Sequence, residues 1–362
     1  MYLWRRLEAP GTAALSAAVY IFPRDGAVQK ESVMSFLGIP SWERHVNGHQ
    51  KSTSTSNGWG SVPVSVQEPV HEASRVSPSS TTHGTTLLHV LLFLTTVLTT
   101  LMVGMLGEGV DPLIHPEQFY RGLPYAGTLL GILFCHEMGH YVTARYYGMD
   151  VTLPYFIPAP PSFMGVPFLG TFGAIIRMKS PPRHRRALLH IGAAGPIAGF
   201  CVALPAMIYA CATSTLVPAS TGVGGPYLAE PLLLQIIGYF IVGPVPSGMS
   251  LAVNSVGLAA WFGLLVTVFN LLPIGQLDGG HIIYALLGRQ ARYLSWAVIG
   301  ALLVLGLAWP GWILWAFLGW LSGRRQPTVL DQYAPLSRSS QVIAGIAFVI
   351  FILCFMPIPI TL

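Results

Sequence analysis

From residue 86 onward the chain is a series of long apolar runs separated by short polar breaks, whereas residues 1–85 show no sustained apolar period. The runs at 86–106, 123–147, 188–212 and 251–272 each supply the roughly 20 residues an α-helix needs to cross about 30 Å of hydrocarbon at 1.5 Å per residue. A last run covers 341–356. Residues 293–321 are interrupted by Trp309-Pro310-Gly311 and are expected to form two short spans rather than one. Residues 232–242 are apolar but too few to cross, so they are expected in the interface. The pattern predicts an all-α polytopic membrane protein with six or seven transmembrane helices. Residues 86–287 form its core, and 288–362 supply C-terminal transmembrane helices.

One stretch breaks the helical pattern. Prolines 154, 158, 160, 161 and 167 and glycines 165, 170 and 173 exclude a continuous helix over 150–180. Within it, Phe168 to Ile176 read as extended strand, so a small membrane-associated β-hairpin is expected between the second and third spans. Irregular backbone cannot face lipid, and the hairpin must therefore pack on the helices or line a polar cavity. Its strand edge is suited to take up an extended peptide as one more strand. Ahead of the spans, Ser/Thr clusters at 52–56 and 77–82 mark residues 1–85 as a flexible, disordered arm. Arg5 and Arg6 before the mildly apolar 11–22 have the start of a signal peptide, but no convincing cleavage site follows.

Composition agrees with the pattern: 52% of residues are apolar, 9% are charged, and the mean hydropathy is +0.59. Lys and Arg number 19 against 14 acidic residues. They are unevenly placed and form no stripe with interleaved aromatics, so nucleic acid is excluded as a partner. Arg177, Lys179, Arg183, Arg185 and Arg186 crowd one loop, while 214–250 contains no Lys or Arg. By the positive-inside rule that loop is cytoplasmic, and a bacterial inner membrane is expected, with a plastid membrane second. Cys135, Cys201, Cys211 and Cys354 lie in apolar runs without CxxC spacing and are expected as free thiols.

The second run carries His136-Glu137-Met138-Gly139-His140. Histidines four apart share one helix face and reach one metal ion, and Glu137 flanks them where a general base for a bound water belongs. Three ionisable groups inside a span each cost on the order of 2.5–3.5 kcal/mol on insertion scales, which a divalent cation offsets. A catalytic zinc takes three protein ligands and keeps one position for water. Asp278, in the polar break 270–281 at the same membrane side, is the best candidate for the third. Asp150 and Glu117 compete less well, and Cys135 points about 100° away from His136.

His136-Glu137-Met138-Gly139-His140, the later Asn270 to Gly280 segment with Leu277-Asp278-Gly279, and the stretch from Gly170 to Gly199 together resemble the site-2 protease family of intramembrane metallopeptidases, peptidase family M50. The resemblance covers about 87–287. It implies that His136, His140 and Asp278 hold one Zn²⁺ and that Glu137 activates water. It further implies that Asn270 lies beside the site and that Gly170, Thr171, Phe172 and Gly173 contact substrate. Single-span membrane proteins, cut in or near their transmembrane segments within the lipid bilayer, would be the substrates. A metal-binding scaffold of the same fold without peptidase activity is the rival reading; Glu137 separates the two, since a scaffold needs no base. His281 is expected to be an interfacial histidine, and His89 and His190 to serve packing. The chain carries no recognisable PDZ-like insertion.

Overall fold

Helices dominate the computed structural model, which describes residues 2–4, 82–163, 166–167, 169–218, 227–323, 329, 331 and 335–361. Nearly all of the arm expected over 1–85 lies outside the described residues; Tyr2–Trp4 forms a short strand. The helices are α1 (Thr82–Gly107), α2 (Leu123–Tyr146), α3 (Arg185–Thr213), α4 (Leu232–Ile241), α5 (Ser255–Leu271), α6 (Asp278–Leu287), α7 (Ala291–Leu305), α8 (Gly311–Gly323) and α9 (Arg338–Cys354). Thr86–Gly107 within α1 and the whole of α3 are long and apolar enough to cross a membrane, while α4, α5, α8 and α9 are shorter apolar helices of 10–17 residues.

Local chemistry explains the helix ends. Pro124 sits in the first turn of α2, where a missing N–H costs nothing. Asn254 caps α5 by accepting from the Gly257 amide at 2.9 Å, and Ser337 caps α9 by accepting from Ser340. The expected fourth span starts later than its hydropathy suggests. Met249–Val253 is a strand, paired on one side with Thr215–Pro218 and on the other with Tyr2–Trp4, and the helix begins at Ser255. Alternating burial along that strand satisfies a half-covered sheet as well as a helix face would. Residues 293–321 do form two helices, α7 and α8, with Trp309-Pro310 in the turn between them.

Two features position the polar residues. Between α5 and α6 the chain breaks at Pro273, and Gly275 turns it with φ +51° where a side chain would meet the Gly323 backbone. Asp278 thereby becomes the first residue of α6. The second feature is the hairpin: β1 (Tyr155–Pro158) pairs antiparallel with β2 (Thr171–Ile175), with Phe156 opposite Ala174. It lies between α2 and α3 in sequence, as expected, and β2 rests against α2.

The core runs through α2, α3, α5, α8 and α9, with Tyr125, Leu129, Trp261, Leu264 and Trp312 among its fully buried side chains. The buried indoles are satisfied: Trp261 Nε1 donates to the Ala229 carbonyl at 2.8 Å and Trp312 Nε1 to that of Pro357 at 2.7 Å. Leu87, Leu91, Leu94 and Leu98 are among the exposed residues of α1, alongside Thr86 and Thr95.

Candidate metal centre

On α2, His136 and His140 stand one turn apart with ring centroids 4.9 Å from each other. The α5–α6 break brings Asp278 over both. Its Oδ2 lies 3.3 Å from His136 Nε2 and 3.2 Å from His140 Nε2. The three donor atoms all fall within 4.8 Å of one another, the one such cluster among the described residues.

Each ring's orientation follows from its other contacts. His140 Nδ1 lies 2.7 Å from the Ile191 carbonyl, which only accepts, so Nδ1 carries the proton and Nε2 turns a lone pair toward Asp278. Asn270 Nδ2 lies 3.2 Å from His136 Nε2, so with that nitrogen unprotonated its one lone pair serves either the amide or a metal ion. Two lone pairs and a carboxylate converging in a buried site repel one another unless a cation or a proton sits among them.

The spacing is compatible with a bound zinc ion. Zinc at 2.0–2.1 Å from tetrahedral ligands requires donor atoms about 3.3 Å apart, and both Asp278–histidine separations match that edge. The donor set, two imidazoles and one carboxylate, suits zinc and leaves coordination for a water. Glu137 is buried beside the first histidine and outside the three-donor cluster.

The competing ligands are placed elsewhere. Asp150 is exposed and pairs with Arg145 at 3.3 Å, and Glu117 is exposed and pairs with His115 at 3.2 Å. Cys135 is a free thiol outside the cluster. His281 is buried one turn along α6 from Asp278, and its Nδ1 has no hydrogen-bond partner among the described residues. His190 does more than pack. It links the Tyr147 hydroxyl (2.7 Å) to the Ser340 hydroxyl (3.0 Å), tying the end of α2 to α9 through α3. His89 stacks on Tyr155 at 3.9 Å and reaches the Leu153 carbonyl at 3.2 Å.

Sequence reasoning missed the wall opposite the metal motif. Helix α3 passes directly over the histidines: a Cβ at Gly195 would land on the His140 ring, and one at Gly199 would come within 3.2 Å of His136 Cβ. A Cβ at Gly139 on α2 would strike the Ala194 carbonyl in return. Pro196 sits inside α3 beside this contact. Glycines at 192, 195 and 199 fall on one helix face, and that small-residue spacing was the available signal.

The expected substrate contacts sit on the hairpin. Gly170 (φ +78°) and Gly173 (φ +97°) flank a buried Thr171, whose hydroxyl donates to the Ile157 carbonyl at 2.9 Å and accepts from the Gly173 amide at 3.0 Å. Phe172 is exposed.

The profile of Peptidase family M50 matches residues 124–308. Among curated proteins, "Probable zinc metalloprotease EGY2, chloroplastic" of rice (Oryza sativa subsp. indica) is 30% identical over 250 residues, covering 67% of this chain and 44% of the relative. "Probable zinc metalloprotease EGY1, chloroplastic" of Arabidopsis thaliana is 31% identical over 245 residues, covering 65% and 43%. The EGY2 protein of Arabidopsis is 34% identical over 179 residues, covering 48% and 30%. The chain thus spans less than half the length of these relatives. No solved structure matches. The relatives overturn the expectation of a bacterial inner membrane facing cytoplasm, since their names place them in chloroplasts. Span hydropathy and loop charge are alike in bacterial and plastid membranes, and neither cue separates the two.

Proposed function

The chain belongs to peptidase family M50, and on that footing we propose that it is a zinc-dependent endopeptidase of a plastid membrane that hydrolyses peptide bonds in or near transmembrane segments of other membrane proteins. The observation that carries this reading is the convergence of His136 Nε2, His140 Nε2 and Asp278 Oδ2 from two helices at a spacing suited to zinc. The names of the plant relatives support both the metal and the compartment. In this reading the chain crosses the bilayer six or seven times, and the site opens toward the side of the Arg183 to Arg186 loop.

His136, His140 and Asp278 would hold the ion, with the Ile191 carbonyl fixing the His140 tautomer. Bound zinc supplies Lewis acidity and lowers the pKa of a coordinated water to about 7. The protein's own groups do the rest. Glu137 accepts the proton of the attacking water on a carboxylate oxygen and returns it to the departing amine nitrogen. Asn270, 3.2 Å from His136, borders the same space and has an amide N–H to offer a substrate carbonyl. The substrate span must unwind before its carbonyl is reachable, because helical carbonyls are already bonded; helix-breaking residues favour this. The edge of β2 receives the unwound segment as an added strand, with Gly170 to Gly173 contacting it.

The test is Glu137→Gln. It should leave one zinc per chain and abolish cleavage of a membrane-embedded reporter reconstituted with the purified chain. Substantial residual turnover would remove Glu137 as the base, and cleavage by neither chain would favour the scaffold.

A further inference from the structure

The hairpin that would present substrate is held by the first span rather than by the helices that carry the metal ligands alone. Thr99 of α1 donates its hydroxyl to the Gly170 carbonyl at 2.6 Å. At Gly170 the turn is seated so closely that a Cβ would come 2.8 Å from the Thr99 carbonyl and 2.9 Å from Thr100 Cα. Lower on the same helix, Phe93 packs edge-on against Phe156 at 5.1 Å and His89 stacks on Tyr155. The residue after Gly170 begins β2, so the Thr99–Gly170 bond is the anchor nearest the strand that faces α2.

We propose that Thr99 is a positioning residue for the substrate: its bond to Gly170 fixes the height of β2 against α2, and hence which peptide bond of an added strand lies at the metal centre. The inference rests on the peptidase reading and deepens it. Two properties make the anchor suited to this. A strand's register advances by about 3.3 Å per residue, so sliding β2 by one residue's rise moves the bond presented by one. The anchor is also releasable. The Thr99 hydroxyl has one hydrogen and two further acceptors in its own helix, the Thr95 carbonyl at 3.0 Å and the Thr96 carbonyl at 3.1 Å. The Gly170 carbonyl likewise keeps the Ala159 amide at 3.1 Å. Separation of α1 from the hairpin therefore strands no polar group in a medium where that would be costly.

The experiment compares Thr99→Val, which keeps the shape and removes the donor, with Thr99→Ser, which restores it. Zinc-loaded full chain in liposomes would cut a synthetic single-span reporter bearing a Gly-Pro pair, with products mapped by mass spectrometry. Amide hydrogen exchange over 169–175 would be followed in parallel. Thr99→Val is expected to keep its zinc, to exchange faster over 169–175, to raise KM about 5- to 10-fold, the worth of one hydrogen bond, and to spread cleavage over neighbouring bonds. Thr99→Ser should return all of these to the parent values. Unchanged exchange in Thr99→Val would overturn the anchor, and faster exchange with an unchanged KM and a single unchanged cleavage position would overturn the positioning role. An intact reporter with the parent chain would instead sink the peptidase reading, and exchange would then decide the anchor by itself.

Discussion

Replacing Gly195 by alanine adds one methyl group where α3 already lies against the His140 ring. An ordinary carbon contact needs about 3.5 Å or more, yet the new Cβ would overlap the His140 ring, its Nε2 included. The ring would have to move by about an ångström or more, and α3 is not free to back away instead because it also packs against α5, α6 and α9. Such a shift stretches the 2.7 Å bond to the Ile191 carbonyl and carries Nε2 away from Asp278. Losses of on the order of 10- to 100-fold in metal affinity follow from disturbing the partners of a metal ligand. Gly195→Ala should reach at least the upper end, since it displaces the ligand itself. A competition titration against a chromogenic zinc chelator would measure this in purified chain. Gly199→Ala supplies the graded comparison, with its Cβ 3.2–3.3 Å from His136 atoms and only a few tenths of an ångström to accommodate. Gly131→Ala is the control, on the helix of the histidines with nothing within 4 Å, and should leave affinity unchanged. Equal zinc affinity in Gly195→Ala and Gly131→Ala would refute the claim that α3 holds His140 in place.

Asp278→Ala should lower zinc per chain well below one by elemental analysis of purified protein, and full retention would mean that a different third ligand closes the site. Trp312→Phe removes the donor to the Pro357 carbonyl while keeping an aromatic ring, so thermal unfolding in detergent should show a loss of about 1–2 kcal/mol with zinc content unchanged. His190→Ala breaks the link between Tyr147 and Ser340 and should destabilise the chain by about 1–3 kcal/mol, read by the same unfolding assay, without loss of zinc. Cysteines placed at Arg183 and at Glu230 should label from opposite sides of sealed vesicles, and labelling of both from one side would refute the proposed topology.

The grouping of His136, His140 and Asp278 was readable from the sequence because its signals are local, two histidines four apart and a carboxylate after a Pro- and Gly-bearing break; among the described residues, only α1 and α3 of the expected spans are long and apolar enough to cross a membrane. The run at 150–180 declared itself non-helical through its prolines, but the partner of β2 did not, since pairing Phe156 with Ala174 is a matter of non-local register. The start of α5 was misplaced because Met249–Val253 is as apolar as the helix that follows. The seating of Gly195 on His140 joins residues from different helices, and a single sequence marks it only by the spacing of small residues. The compartment was misjudged for another reason: lipids of both membranes accept the same spans, and the correction came from kinship.

The paired helices α7 and α8 hold 15 and 13 residues, which at 1.5 Å each amounts to about 22 Å and 20 Å. That is some 8–10 Å short of an unperturbed bilayer interior. Were both to cross the bilayer, as the proposed topology has it, a lipid leaflet meeting this flank would thin, because stretching helices is far harder than compressing acyl chains. On the proposed multi-span topology, thicker membranes should therefore resist accommodating the protein.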